Sequence, residues 1–334
     1  IEIDSQPEIN FHTRKPKISF IGAGNYASRS LIPAFKKAGV NFLSISATNG
    51  LLPSFIGKKY NFKNSSTDIE AILNNKDCNT IVIATRHDSH SELIQKSLSL
   101  GKNIFVEKPL CLTTKELNEI ETIYFETQKK FQLNKKSPPL LMVGFNRRFS
   151  PLVKKLKYYL KDIDQPKAFI YTCNAGSIPS NHWLNDLSTG GGRLIGESCH
   201  FVDLLRYLTG SKIKEINVNS VSNDIVLGDT FILQINFEDK SIATVNYFAN
   251  GSKSFPKERL EVFAGGNVFQ LDNFRKLKTW GAKNSSSKKI LIQDKGQYQC
   301  IQSFIEAIQL AKMSPIPINE IFEVQRLLLK AIKR

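Results

Sequence analysis

The stretch Ile18-Ser19-Phe20-Ile21-Gly22-Ala23-Gly24-Asn25-Tyr26-Ala27 constrains this chain more than any other. An apolar run meets a Gly-Ala-Gly corner, and apolar residues at helical spacing follow at Ala27, Leu31, Ile32 and Phe35. Strand, glycine turn and helix in that order make a dinucleotide-binding unit. Gly22 permits the tight turn, Gly24 lets backbone approach a pyrophosphate, and Ala27 is the small position where helix packs on strand. The unpaired N–H groups at the helix start face the negative charge. Gly22, Ala23, Gly24, Asn25 and Tyr26 are therefore expected to hold phosphates.

At 334 residues the chain has room for two domains with their own cores. Its formal charge of +16 invites a nucleic-acid reading, but the lysines are scattered, with only short runs such as Lys135-Lys136 and Lys288-Lys289. No nucleic-acid partner is expected, although the charge can gather anionic ligands. No apolar run approaches the roughly 20 residues of a membrane span, so no membrane partner is expected. The polar residues 1–16 lack an apolar leader core and read as linker-like. Cys78, Cys111, Cys173, Cys199 and Cys300 show no paired spacing, so neither a disulfide framework nor a metal site is expected, and a cytoplasmic location fits.

From Lys17 onward strands and helices alternate, which predicts a doubly wound parallel sheet over residues 17–146. Strands are expected at 40–47, 80–85, 103–106 and 140–145. Helices are expected at 68–74, capped by Thr67, and after a Ser89 cap, with Leu93, Ile94, Leu98 and Leu100 buried and Gly101 as the stop. Another runs from Thr113 or Thr114 to about residue 128. Residues 147–334 read differently, as an α+β substrate and oligomerisation domain. Strand-like stretches near 168–173, 214–218, 230–237, 242–248, 259–264, 268–271 and 277–280 predict a largely antiparallel open sheet. Helices are expected at 151–160, 194–208, 298–312 and 320–333, the last capped by Asn319.

Two further stretches carry chemistry. Val106-Glu107-Lys108-Pro109 ends a strand of the first domain, where ligands of such sheets bind. Pro109 holds Lys108 extended, and a lysine there can stabilise developing negative charge on a reacting oxygen. Gly190-Gly191-Gly192-Arg193-Leu194-Ile195-Gly196-Glu197-Ser198-Cys199-His200-Phe201-Val202-Asp203 leads glycines into a helix, on which Glu197, His200 and Asp203 share a face. His200 can carry a substrate proton, or it can be a core histidine satisfied by Asp203.

These three features in this order resemble the Gfo/Idh/MocA oxidoreductases, the glucose–fructose oxidoreductase and inositol dehydrogenase group, over nearly the whole chain from Lys17. The resemblance implies a Rossmann domain followed by the α+β domain, and hydride transfer between NAD or NADP and a hydroxyl carbon of a sugar, cyclitol or nucleotide-sugar. It implies a catalytic pair, Lys108 and His200. Thr48, Asn49, Ala84, Thr85, Arg86, His87, His90, Glu107 and Lys108 are expected at the cofactor. Asn146 and Arg147 follow a strand of the first domain at the mouth where substrate should lie, and Asn174, His182, Trp183 and Arg193 are expected to line the same cleft. A homo-oligomer is implied as well.

Three departures stand out. Gly196 occupies the position of the family aspartate four residues before the histidine. Glu197 is expected to take over, although one residue turns its direction by about 100° round a helix. Arg86-His87 replaces the usual proline and asparagine after the strand. Ser46-Ala47-Thr48-Asn49-Gly50 carries no acidic residue for the ribose, which leaves both NAD and NADP open. The stretches 84–90, 144–151 and 192–200 are similar to the second half of bi-domain oxidoreductases, in which an alcohol-dehydrogenase-like half precedes, often among polysaccharide genes. Two other readings use the same scaffold: a non-catalytic nucleotide-binding sensor, and an enzyme of another reaction such as imine reduction or redox-assisted glycosidic bond cleavage.

Overall fold

The computed structural model describes residues 15–47, 51–221, 228–281 and 286–332. Thr48 and Asn49, expected at the ribose, lie outside them. Six strands pair in parallel: β1 (Lys17–Ile21), β2 (Asn41–Ser46), β3 (Asn64–Ser66), β4 (Thr80–Ile83), β5 (Asn103–Val106) and β6 (Leu141–Val143). Their order, β3-β2-β1-β4-β5-β6, reverses direction between β1 and β4. A crevice opens at that switch point beyond the carboxyl ends of the strands. The intervening helices are α1 (Ile32–Lys37), α2 (Leu51–Tyr60), α3 (Ile69–Leu73), α4 (His90–Ser99) and α5 (Thr114–Leu133). Edge-to-face rings of Phe20, Phe35 and Phe105 tie β1, α1 and β5 together.

Several local expectations need correction. A wide π-helical turn, Ala27–Leu31, separates the glycine corner from α1. Helix α2 and strand β3 carry no clear apolar period and were not legible. Asp68, not Thr67, caps α3, its carboxylate accepting from the Ala71 N–H at 3.0 Å. Ser89 precedes α4 but does not cap it. A 3-10 turn at His87–Ser89 puts Ser89 in helical backbone geometry, so its hydroxyl donates to Thr85 Oγ1 (2.6 Å) instead. Leu100 follows the last turn of α4 and is exposed. Helix α5 runs five residues past the expected end, opened by a capping box of Thr113 and Glu116.

Beyond α6 (Pro151–Leu160), strand β7 (Ala168–Asn174) is followed by α7 (Gly192–Thr209) and then β8 (Ile213–Ser220), β9 (Phe231–Phe237), β10 (Ile242–Phe248), β11 (Glu258–Ala264), β12 (Asn267–Asp272), β13 (Lys276–Trp280) and the short β14 (Lys288–Lys289). These strands form one sheet, β14-β13-β12-β11-β7-β10-β9-β8, antiparallel except at β7 and β10. Alternation sends Phe169, Tyr171 and Cys173 inward, and Phe201 of α7 packs on Tyr171 at 4.8 Å between rings. On the open face Ile242, Ala168, Phe263, Val268 and Trp280 fall in register, one apolar row across five strands. Helices α8 (Gln297–Gln309) and α9 (Ile318–Ala331) return to the first sheet's layer, Phe304 meeting Phe105 and Phe322 meeting Tyr124. Asn319 lies inside α9, which starts after Pro317. Among the described residues no helix is long and apolar enough to cross a membrane.

Candidate active site

The switch-point crevice continues into a cleft of about 1250 Å³ that reaches α7. Its floor begins at the glycine corner. Gly22 (φ +108°) lies so close to β4 that a Cβ there would sit 2.3 Å from the Ala84 carbonyl oxygen, whereas a Cβ on Gly24 would meet nothing within 4 Å. Gly22 is thus required by strand packing, and Gly24 leaves open space at the lip of the cleft. Ala23, Asn25 and Tyr26 line the same lip, with Ala84, Thr85, Arg86 and His87 facing them from the end of β4. This corner fits a dinucleotide, with bare backbone at the turn and exposed N–H groups opening a helix.

Glu107 and Lys108 follow β5. Burial pushes Glu107 up to about 7 against the pull of Lys108. Gly144, just past the end of β6, makes room for it, since a Cβ there would lie 2.7 Å from Glu107 Oε1. Lys108 precedes a cis peptide bond to Pro109. Its Nζ donates to the Gly196 carbonyl (2.7 Å) and to Glu197 Oε1 (2.8 Å). Burial opposes the ammonium, but the Glu197 carboxylate outweighs that and holds Lys108 above its usual range. Glu197 is held low by the same contact, which overcomes its own burial.

His200 lines the cleft on the same face of α7 as Glu197. Burial and the surrounding Arg147, Lys108, Lys295 and Lys257 keep its ring neutral, well below the usual histidine range. Its Nδ1 has no hydrogen-bond partner among the described residues. Asp203 does not satisfy it, because Asp203 is fully buried against Arg148, which donates from Nε (3.0 Å) and Nη2 (2.5 Å). The pairing of His200 with Asp203 that the core-histidine alternative invoked is therefore absent.

His87 explains the first two departures together. Its Nδ1 lies 2.8 Å from the Gly190 carbonyl oxygen, which only accepts, so Nδ1 carries the proton. Burial lowers the ring to about 3, so Nε2 is a bare acceptor. The ring fills the space above Gly196, where a Cβ would sit 2.9 Å from His87 Cε1, and it meets Trp183 edge-on at 4.8 Å. A side chain at 196 would require the His87 ring to shift. Gly196→Ala is expected to destabilise the protein in the native background. In a His87→Ala background it should stabilise by up to about 1 kcal/mol, the helix propensity gain of alanine over glycine. A double-mutant cycle by urea unfolding reads the sign change.

The remaining expected residues divide. His182 and Trp183 line the cleft, and so do Asn146 and Arg147, although the Asn146 amide donates to the Lys295 carbonyl (2.7 Å) and Arg147 grips Glu258 (2.8 and 3.1 Å). His90, Asn174 and Arg193 are outside the cleft lining. His90 is buried and donates from Nδ1 to the Pro109 carbonyl (2.7 Å), pinning the Lys108 turn. Asn174 donates to the Ser252 carbonyl (2.6 Å), and Arg193 donates to the Gly176 carbonyl (2.8 Å) over the Tyr247 ring. All three are engaged with backbone carbonyls. Sequence reasoning missed Lys257 and Lys295, which reach the cleft from loops, and Gln297, the first residue of α8. Nothing in a lysine-rich chain marks them. It also missed Glu258, buried at the start of β11 and shared by Arg147, Tyr171 and Lys295.

A family model described as the oxidoreductase family with an NAD-binding Rossmann fold matches residues 17–135, and the GFO/IDH/MocA C-terminal domain model matches residues 163–265. The chain is 25% identical over 226 residues to a myo-inositol 2-dehydrogenase of Thermotoga maritima, covering 65% of this chain and 64% of that protein. It is 27% identical over 173 residues to a levoglucosan dehydrogenase of Pseudarthrobacter phenanthrenivorans, covering 50% and 42%. The chain thus spans less than two thirds of the length of these relatives. A structure of levoglucosan dehydrogenase in complex with NADH and levoglucosan superposes with a TM-score of 0.81 at 18% identity, covering 96% of this chain and 98% of that one. That likeness establishes a shared fold.

Proposed function

The chain belongs to the Gfo/Idh/MocA oxidoreductase family, and on that premise we propose that it transfers hydride between a nicotinamide dinucleotide and a hydroxyl-bearing carbon of a carbohydrate or cyclitol. One observation carries this reading: Lys108 from the parallel sheet and His200 from α7 line a single cleft whose far end is the glycine corner. The bound nicotinamide supplies the hydride acceptor, or the donor in the reverse direction. Backbone from Gly22 to Tyr26 holds the pyrophosphate. Lys108 has three ammonium hydrogens, two of which are taken by Gly196 and Glu197, leaving one donor for the reacting oxygen. In the oxidative direction the C–H bond leaves as hydride, the hydroxyl proton passes to neutral His200, and the oxygen becomes a carbonyl oxygen. Glu197 positions Lys108 and keeps it charged. His87 Nε2 offers an acceptor to a hydroxyl or amide beside it.

Titrating the purified chain with NADH and NADPH, read by nicotinamide fluorescence and thermal stability, tests the cofactor half of this proposal. Saturable binding of at least one is expected, with a stabilisation that grows as the logarithm of concentration. Binding of neither would remove the oxidoreductase reading for this chain.

A further inference from the structure

The charges at the inner end of the cleft do not cancel. Lys108, Arg147, Lys257 and Lys295 line it with His200, against the carboxyl groups of Glu197 and of Glu107, the latter pushed up to about 7 by burial. Glu197 pairs with Lys108 (2.8 Å), and a single buried carboxylate, Glu258, serves both Arg147 (2.8 Å) and Lys295 (2.5 Å). Lys257 is exposed to the cleft, and among the described residues no carboxylate lies within ion-pair distance of it. It lines the same cleft as Glu197 and His200.

Lys257 is also held in place. Its carbonyl accepts from the Asn174 N–H at 2.8 Å, and the Asn174 side-chain amide donates to the Ser252 carbonyl at 2.6 Å, so two bonds from the end of β7 fix the loop that carries it. Gly251 is needed for that closure, since a Cβ there would lie 2.2 Å from Asn174 Oδ1. An ordered loop presenting an uncompensated ammonium to a cleft fits an anion that arrives with the ligand.

We infer that the substrate carries an anionic group, a carboxylate or a phosphoryl group, and that Lys257 binds it. This rests on the proposed dehydrogenase site and narrows its substrate to acidic carbohydrates. A neutral polyol would leave the excess positive charge unmatched.

Isothermal titration of the NADH-loaded protein with D-glucuronate, glucose 6-phosphate, UDP-glucose and, as neutral probes, glucose and myo-inositol tests it. At least one anionic probe is expected to bind about tenfold or more tightly than glucose, the scale of one charge-assisted contact. The preference should weaken with salt. Lys257→Gln should abolish it and Lys257→Arg should retain it, while the NADH-induced thermal shift reports that each variant is folded. Glucuronate against the two phosphorylated probes separates a carboxylate from a phosphoryl ligand. Equal or tighter binding of a neutral probe, no binding of any anionic probe, or an unchanged preference in Lys257→Gln would overturn the inference. Failure to bind NADH would instead count against the oxidoreductase reading, and the same sugar titration without cofactor still decides the inference.

Discussion

Lys108→Met is expected to lower kcat by about 10²- to 10⁴-fold while NADH still shifts the melting temperature as in the native protein. The change removes the one positive charge placed to meet negative charge on the reacting oxygen, and it leaves the glycine corner untouched. It also strips Glu197 of its partner. That carboxylate retains partial access to the cleft, with its side chain 26% exposed, so it can be rehydrated or protonated without unfolding the domain. Lys108→Arg keeps the charge but replaces a compact ammonium with a planar fork, which cannot meet Gly196, Glu197 and a substrate oxygen in the same geometry. It should recover little of kcat. Steady-state kinetics on whichever carbohydrate is turned over, with NADH binding measured in parallel, decides the matter. A kcat within twofold of native in Lys108→Met removes Lys108 from the chemistry.

Arg148→Ala should cost about 3–5 kcal/mol of folding stability, the scale of breaking a buried ion pair. Arg148 is almost fully buried and ties Asp203 of α7 to Glu320 of α9 (2.9 Å), with its guanidinium 5.1 Å from the centre of the Tyr207 ring. Removing it leaves Asp203 with no exposure to water. The pH dependence identifies the cause. Burial already pushes Asp203 up to about 6, with Arg148 pulling the other way, and without the guanidinium it must rise further. A carboxylate with a raised pKa in the folded state binds its proton more tightly there than when unfolded. Stability therefore falls with rising pH until the folded-state value is passed. The native protein stops losing near pH 6 and the variant continues, so the gap should be small near pH 5 and open above pH 6. Urea unfolding at several pH values reads it. Adding Asp203→Asn should recover part of the loss, and a gap that is flat with pH would point to lost packing instead.

Much of the fold was legible because it rests on short-range regularities. The apolar run into Gly22-Ala23-Gly24, the β-branched strand β4 and the capped stripe of α5 each announce themselves within a few residues. The failures are also local. Asp68 outcompeted Thr67 for a cap, and Ser89 spent its hydroxyl on Thr85, because a cap depends on backbone angles that composition does not specify. Helix α2 has too little apolar contrast along its length to read as a helix.

For the site, the sequence alone determined the glycine corner, a lysine at the end of β5, and Glu197 and His200 on one helix face. Those follow from backbone chemistry and the 3.6-residue period. The tertiary structure decided the partners. Glu197 reaches Lys108 from 89 positions away, Arg147 meets Glu258 across 111, and Arg148, not His200, claims Asp203. His87 fills the space that Gly196 vacates, and Lys257 comes to the cleft on a loop that Asn174 holds. A charge written in a sequence does not carry the address of its counter-charge. That pairing is settled when the sheets and helices pack and each buried ion must find the neighbour that offsets its lost hydration.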